Sequence, residues 1–162
     1  MEKSSEHGWQ INTHAIGDKA NTIVLDAIET AKLGTRDHRS RIEHSQHLVP
    51  DDIPRFAELG VIASIQTVHM SSDRPWAIDR LGKDRIESGA YVWRDLLDAG
   101  VHLANGTDVP VEPINPLANF YAAVARKTLK GTPEEGYEYH QRLSREEALQ
   151  SMTLWNAYAA FQ

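Results

Sequence analysis

The 162-residue sequence contains no cysteine. Disulfides, thiolate metal sites and cysteine nucleophiles are therefore excluded, and any metal must be held by imidazole and carboxylate. No apolar run approaches the roughly 18 residues that suggest a membrane-spanning helix. The opening residues, Met1-Glu2-Lys3-Ser4-Ser5-Glu6-His7, lack the apolar stretch of a secretory signal. Basic charge is also in short supply. Lys and Arg number 17 against 23 Asp and Glu, a net charge of −6. A nucleic-acid partner would need a basic face to neutralise phosphates, and an anionic membrane would need a polybasic segment. Neither partner is expected, and a cytoplasmic location is the default.

What is present is the composition of an ordinary folded domain, 41% hydrophobic and 25% charged. The length fits a single domain over 1–162 with a core of its own. Short β-like segments alternate with longer helical ones. Trp9 to His14 reads as a strand. Ala20, Ile23, Val24, Ala27, Ile28 and Ala31 then follow helical spacing over 18–33, which Gly34 stops. Arg39 to His44 is a second strand. Pro50-Asp51-Asp52 opens a helix, with acids in its first turn, that ends at Gly60. Val61 to Gln66 is a third strand, and residues 70–87 are polar, with room for two short helical turns. Ala90 to Ala99 reads as a helix ended by Gly100. Val101 to Ala104 begins a fourth strand that leads into Asn105-Gly106-Thr107-Asp108. Asn115-Pro116 opens the next helix. Residues 129–142, with Gly131, Pro133 and Gly136, read as a loop. The capping box Ser144-Arg145-Glu146-Glu147 opens the last helix.

This alternation predicts an α/β fold with a parallel sheet and helical crossovers. Two architectures fit it: an open doubly wound sheet, or half of a (β/α)8 TIM barrel, whose full form needs about 250 residues. Both place function at the C-terminal ends of strands. There the four apolar runs end on polar residues: His14, His44, Gln66 and Asp108. His14 and His44 lie thirty residues apart, one strand–helix repeat, so they fall on adjacent strands. Two imidazoles and a carboxylate suit a divalent ion such as zinc. The carboxylate is equally suited to orienting or deprotonating a water on that ion.

Longer segments carry a resemblance. Thr13-His14-Ala15-Ile16-Gly17-Asp18-Lys19-Ala20, Arg41-Ile42-Glu43-His44-Ser45-Gln46 and Gly106-Thr107-Asp108-Val109-Pro110-Val111-Glu112 resemble successive signatures of the amidohydrolase superfamily. They are most similar to its family 3 branch, which includes N-substituted formamide deformylase-like enzymes. Phe56 to Gln66 and Trp93 to Val101 resemble the same branch. The resemblance implies strands 5–8 of the barrel with their helices. It implies His14 and His44 as metal ligands from strands five and six, and Asp108 as both metal ligand and general base. It implies hydrolysis of a carbon–nitrogen bond, amide or formamide in type, by a metal-activated water. Zinc is the first expectation, with iron, manganese and nickel open to the same ligands. Gln66 and His69 are candidate substrate contacts. His69 keeps its family position although Gln66-Thr67-Val68-His69 stands where the family often has Gln-Pro-Thr-His. The family's His-x-His pair, its carboxylated Lys and its small β-sandwich are not found. The expectation is a fragment of a longer enzyme, incomplete and inactive by itself.

Blander readings stand beside these. Asp18 reads as a helix cap. Glu43, one residue before His44, should face away from the site by strand alternation, with Arg41 a partner for it or for a neighbouring helix. His7, His38, His47, His102 and His140 read as surface residues, and Trp76, Trp93 and Trp155 as packing residues. Two other functions remain open. A half barrel has open strand edges and an exposed apolar face, so a catalytically silent chain that pairs with a second copy would cover them. An open doubly wound domain would bind a phosphate or nucleotide, although the first strand is followed by one glycine only.

Overall fold

The computed structural model describes residues 1–31, 33 and 37–162. A short helix α1 (Glu2–Glu6) precedes β1 (Asn12–Ala15) and α2 (Asp18–Thr30). β2 (Arg41–His44) is followed by a 3-10 turn at Pro50–Asp52 that runs into α3 (Ile53–Glu58). β3 (Ile62–Ile65) leads to α4 (Thr67–Leu81), α5 (Lys83–Gly89) and α6 (Trp93–Asp98). After β4 (Leu103–Asn105) come α7 (Pro116–Ala125), a 3-10 turn at Tyr139–Gln141, α8 (Arg145–Met152) and α9 (Leu154–Ala159).

The strands form one parallel sheet in the order β1-β2-β3-β4. Chain order and spatial order coincide, so the sheet has no reversal of the kind that defines a doubly wound fold. Sequential parallel strands separated by helices are the content of a (β/α) barrel, and the described strands make a partial one. The doubly wound reading is set aside on this ground.

Ile42, Ala63, Ile65 and Leu103 of the sheet are buried with Leu25 and Ile28 of α2, Phe56 of α3 and Leu96 of α6. Burying each such large side chain is worth about 1.5–3 kcal/mol, which makes this layer the main support of the fold. The opposite face of the sheet is mixed, with Ile62 and Ala104 buried against Ala159 of α9 beside polar side chains. Glu43, Ser64 and Ala104 stand in register across β2, β3 and β4, and Arg41 Nε donates to Glu43 Oε1 at 3.0 Å. Exposed apolar side chains gather after Asp108, at Val109, Val111, Ile114 and Leu117.

The last helix guards one edge of the sheet. Asn156 Nδ2 donates to the Asn105 carbonyl and Asn156 Oδ1 accepts from the Asn105 N–H, both at 3.0 Å. One side-chain amide thus occupies the two backbone groups that a neighbouring strand would use. Gln10 Nε2 donates to the Ala159 carbonyl at 2.6 Å, and Arg39 donates to that of Tyr158 at 2.7 Å. These bonds tie α9 to the segments that lead into β1 and β2.

Several expectations need correction. The first strand begins at Asn12, and Trp9 is exposed. Residues 70–87 belong to two real helices. The buried side of α4 mixes Thr67, His69, Ser71 and Arg74 with Val68, Met70 and Ala77, so apolar periodicity was absent from it. The helix placed at Ala90 begins at Trp93, because Ala90 bridges to His47 and Tyr91 has a left-handed φ of 55°. In α2, Asn21 is buried where Ile23 is exposed. Gly17 is its N-cap, and Asp18 is the first helical residue, receiving Arg85 at 2.6 Å. Gly34 lies outside the described residues. Trp76 is exposed, whereas Trp93 is buried and Trp155 packs half-buried against the core. The Asn115 cap and the Ser144 capping box are present.

His38 and His47 are buried rather than on the surface. Burial lowers the His47 pKa from 6.5 to about 4, against the opposing pull of Asp18 and Asp73. The folded state therefore prefers the neutral ring. That preference contributes in full above the unfolded value of about 6.5 and is lost as pH falls from there to about 4, because the unfolded chain takes up a proton that the native chain refuses. The loss over this window is on the order of 3 kcal/mol. Urea denaturation between pH 7 and pH 4 should show a shallower stability decline in His47→Gln than in the parent chain. Equal slopes would mean that His47 does not control this window.

Candidate metal centre

Four side chains reach one end of the sheet. His14 sits in β1, His44 closes β2, His69 lies in the first turn of α4, and Asp108 follows β4. His44, His69 and Asp108 each offer a ligand atom within 4.8 Å of the others. His69 Nε2 lies 3.9 Å from Asp108 Oδ2, too far for a hydrogen bond. The His14 ring meets His44 edge-on with centroids 4.5 Å apart, and the His69 ring stacks on His44 at 5.8 Å. His14 is exposed and stands outside the close trio. His69 is buried and belongs to a helix.

His44 Nδ1 and His69 Nε2 are buried and have no hydrogen-bond partner. An unsatisfied buried polar group costs about 1–3 kcal/mol, and such groups at a native site call for an explanation. Burial, and then the neighbouring His14, pushes the His44 pKa below the ordinary imidazole value. The neutral ring is the form that ligates a metal. Two imidazoles and a carboxylate with ligand atoms within 4.8 Å of one another fit the donor preferences of zinc and similar divalent ions.

The backbone is strained at the same place. His44 has φ 80°, Ser45 φ 45° and Asp108 φ 57°. Left-handed conformations at non-glycine residues cost about 1–3 kcal/mol each and cluster at functional sites. The turn at His44 also corrects the expectation for Glu43. β1 and β2 pair His14 with Glu43, so these two share a face of the sheet. Glu43 and Asp108 line one groove together with Gln66. Alternation fails because His44 leaves the extended conformation on which it depends. Gln66 sits at the N-cap of α4, donates to the Ser64 carbonyl at 3.2 Å and keeps its Oε1 buried without a partner.

Two residues not singled out in the sequence hold the site. The Gln66 side chain makes no capping bond to α4, so the first helical N–H groups need other acceptors. Asn105 Oδ1 accepts from Thr67 N at 3.2 Å, and Asn119 Oδ1 accepts from Val68 N at 2.8 Å. Asn119 Nδ2 also donates to the Gly106 carbonyl at 2.5 Å. Asn119 thereby links the helix that presents His69 to the segment that presents Asp108. Its signal in the sequence is a lone amide within the apolar stretch Pro116–Ala125.

The model of the amidohydrolase family matches residues 1–162. The chain belongs to the amidohydrolase family. Protein LONG AFTER FAR-RED 3 of Arabidopsis thaliana is 39% identical over 160 residues, covering 98% of this chain and 27% of that protein. The YtcJ protein of Bacillus subtilis is 41% identical over 130 residues, covering 79% of this chain and 24% of its own length. Among solved structures, an uncharacterized metal-dependent hydrolase from Pyrococcus furiosus superposes with a TM-score of 0.82 at 33% identity, over 99% of this chain and 31% of that one. This amidohydrolase chain thus spans about a quarter to a third of the length of these relatives.

Removing the Asn119 amide leaves Val68 N and the Gly106 carbonyl without their partners. Asn119→Ala should lower stability by about 2–4 kcal/mol, read by urea denaturation, and speed amide exchange at Thr67 and Val68. A loss below about 0.5 kcal/mol would show that the cap is dispensable.

Proposed function

We propose that this amidohydrolase chain supplies metal ligands and the general base of a hydrolase that cleaves carbon–nitrogen bonds of amide or formamide type. The observation that carries the reading is the trio of His44, His69 and Asp108, with two buried imidazole nitrogens that lack partners. The trio forms the preformed part of the donor set, and His14, edge-on to His44, completes it. Zinc suits this mixture of nitrogen and carboxylate donors. When bound, such an ion polarises the substrate carbonyl and acidifies a water beside it.

Asp108, partly exposed at the mouth of the groove, takes the proton from the attacking water as its oxygen bonds to the carbonyl carbon. The carbon–nitrogen bond then breaks, and Asp108 passes the proton to the leaving nitrogen. The products are a carboxylic acid and an amine. The unpaired Oε1 of Gln66 is suited to accept from an amide N–H of the substrate. The resemblance also implies a His-x-His pair that the sequence does not contain. Turnover is therefore assigned to a longer chain, and metal uptake to these residues.

Elemental analysis after loading with zinc tests the assignment. The parent chain should hold about one zinc, His44→Ala should hold none, and His14→Ala and His69→Ala should hold it more weakly. Zinc retained in full by His44→Ala would remove the site. Zinc retained in full by His69→Ala alone would return His69 to the substrate side of the centre.

A further inference from the structure

A cavity of about 430 Å³ lies against α4, lined by Val68, Ser72, Pro75, Glu112 and Leu129 among others. Its size is that of a small-molecule site. Two of its walls come from the segments that build the candidate metal centre. Val68 and Ser72 flank His69 on α4, and Glu112 follows Asp108 on the segment after β4. One hydrogen bond joins these segments, Ser72 Oγ to Glu112 Oε1 at 2.5 Å, beside the 3.9 Å approach of His69 Nε2 to Asp108 Oδ2. His69 and Ser72 are three residues apart on one helix, a rise of about 4.5 Å. The cavity therefore begins about one helical turn from the trio.

The chemistry of the lining defines the occupant. The hydroxyls are already engaged. Ser71 Oγ donates to the Lys127 carbonyl at 2.5 Å, Ser72 bonds to Glu112, and Thr128 and Thr132 bond to each other at 2.8 Å. The two charged side chains of the lining, Glu112 and Lys130, are opposite in sign and leave it no net charge, and the rest is apolar, chiefly Pro75 and Leu129, with Leu129 59% exposed and Val68 buried behind them. A large apolar side chain held open on a concave wall gains free energy when an apolar group covers it.

We propose that this cavity is the subsite for an uncharged, apolar substituent of the amide substrate, with the scissile carbonyl at the trio and a short alkyl chain or ring against Val68, Pro75 and Leu129. The Ser72–Glu112 bond is its inner boundary and holds the Asp108 segment against α4. The assignment to a substrate rests on the proposed function; the preference for a neutral apolar group rests on the cavity alone.

Methyl-detected NMR titration of the zinc-loaded chain with N-butylacetamide tests it, with butylammonium and pentanoate as charged counterparts. N-butylacetamide should shift the methyls of Val68, Leu129, Thr128 and Thr132, and the charged probes should bind at least tenfold more weakly. Leu129→Trp, which fills the cavity from an exposed position, and Leu129→Asp, which charges its wall, should each weaken the shifts at least tenfold while zinc content stays at the parent level. Shifts confined to other methyls, or equal binding of the charged probes or by both variants, would overturn the subsite. A chain that takes up no zinc yet still binds N-butylacetamide at these methyls would keep the subsite and remove the metal reading.

Discussion

A parallel sheet whose strands follow chain order points all its carboxyl ends the same way. In this chain that one constraint brings residues from distant parts of the sequence to a single rim. β1 and β2 carry His14 and His44 there, α4 starts at that rim with His69, and the segment after β4 brings Asp108. The apolar layer between the sheet and helices α2, α3 and α6 holds the register. The opposite face packs Ile62 and Ala104 against Ala159 of α9 and otherwise carries Arg41, Glu43 and Ser64.

Stability and site geometry pull against each other at the rim. His44 and Asp108 have left-handed backbones, and two imidazole nitrogens are buried without partners. Both features cost free energy in the isolated fold. They persist because the surroundings are tied down, with Asn105 and Asn119 capping α4 from outside the helix and Asn156 closing the free edge of β4. A bound cation would offset part of that cost by engaging the unpaired nitrogens.

The elements with regular apolar spacing were legible in the sequence. The strand cores, the helix from Asp18, the Asn115 cap and the Ser144 capping box all rest on local rules. The convergence of His44 and Asp108 was legible because strand ends in such folds share one rim. The helical nature of residues 67–89 was hidden, since α4 buries His69, Ser71 and Arg74 among partners remote in sequence. Hidden for the same reason were the roles of Asn105 and Asn119, whose partners lie 38 and 51 residues away. The orientation of Glu43 could not be read from alternation, because the left-handed turn at His44 has no signal in a non-glycine residue.

The central claim is that His44 and His69 hold free nitrogens ready for a cation. Nitrogen-15 NMR of the histidine rings during zinc addition tests it at the atoms concerned. The account expects the Nδ1 of His44 and the Nε2 of His69 to move together to ligated positions, with His7, His102 and His140 unchanged. Zinc that perturbs the exposed histidines and leaves His44 and His69 where they were would contradict it.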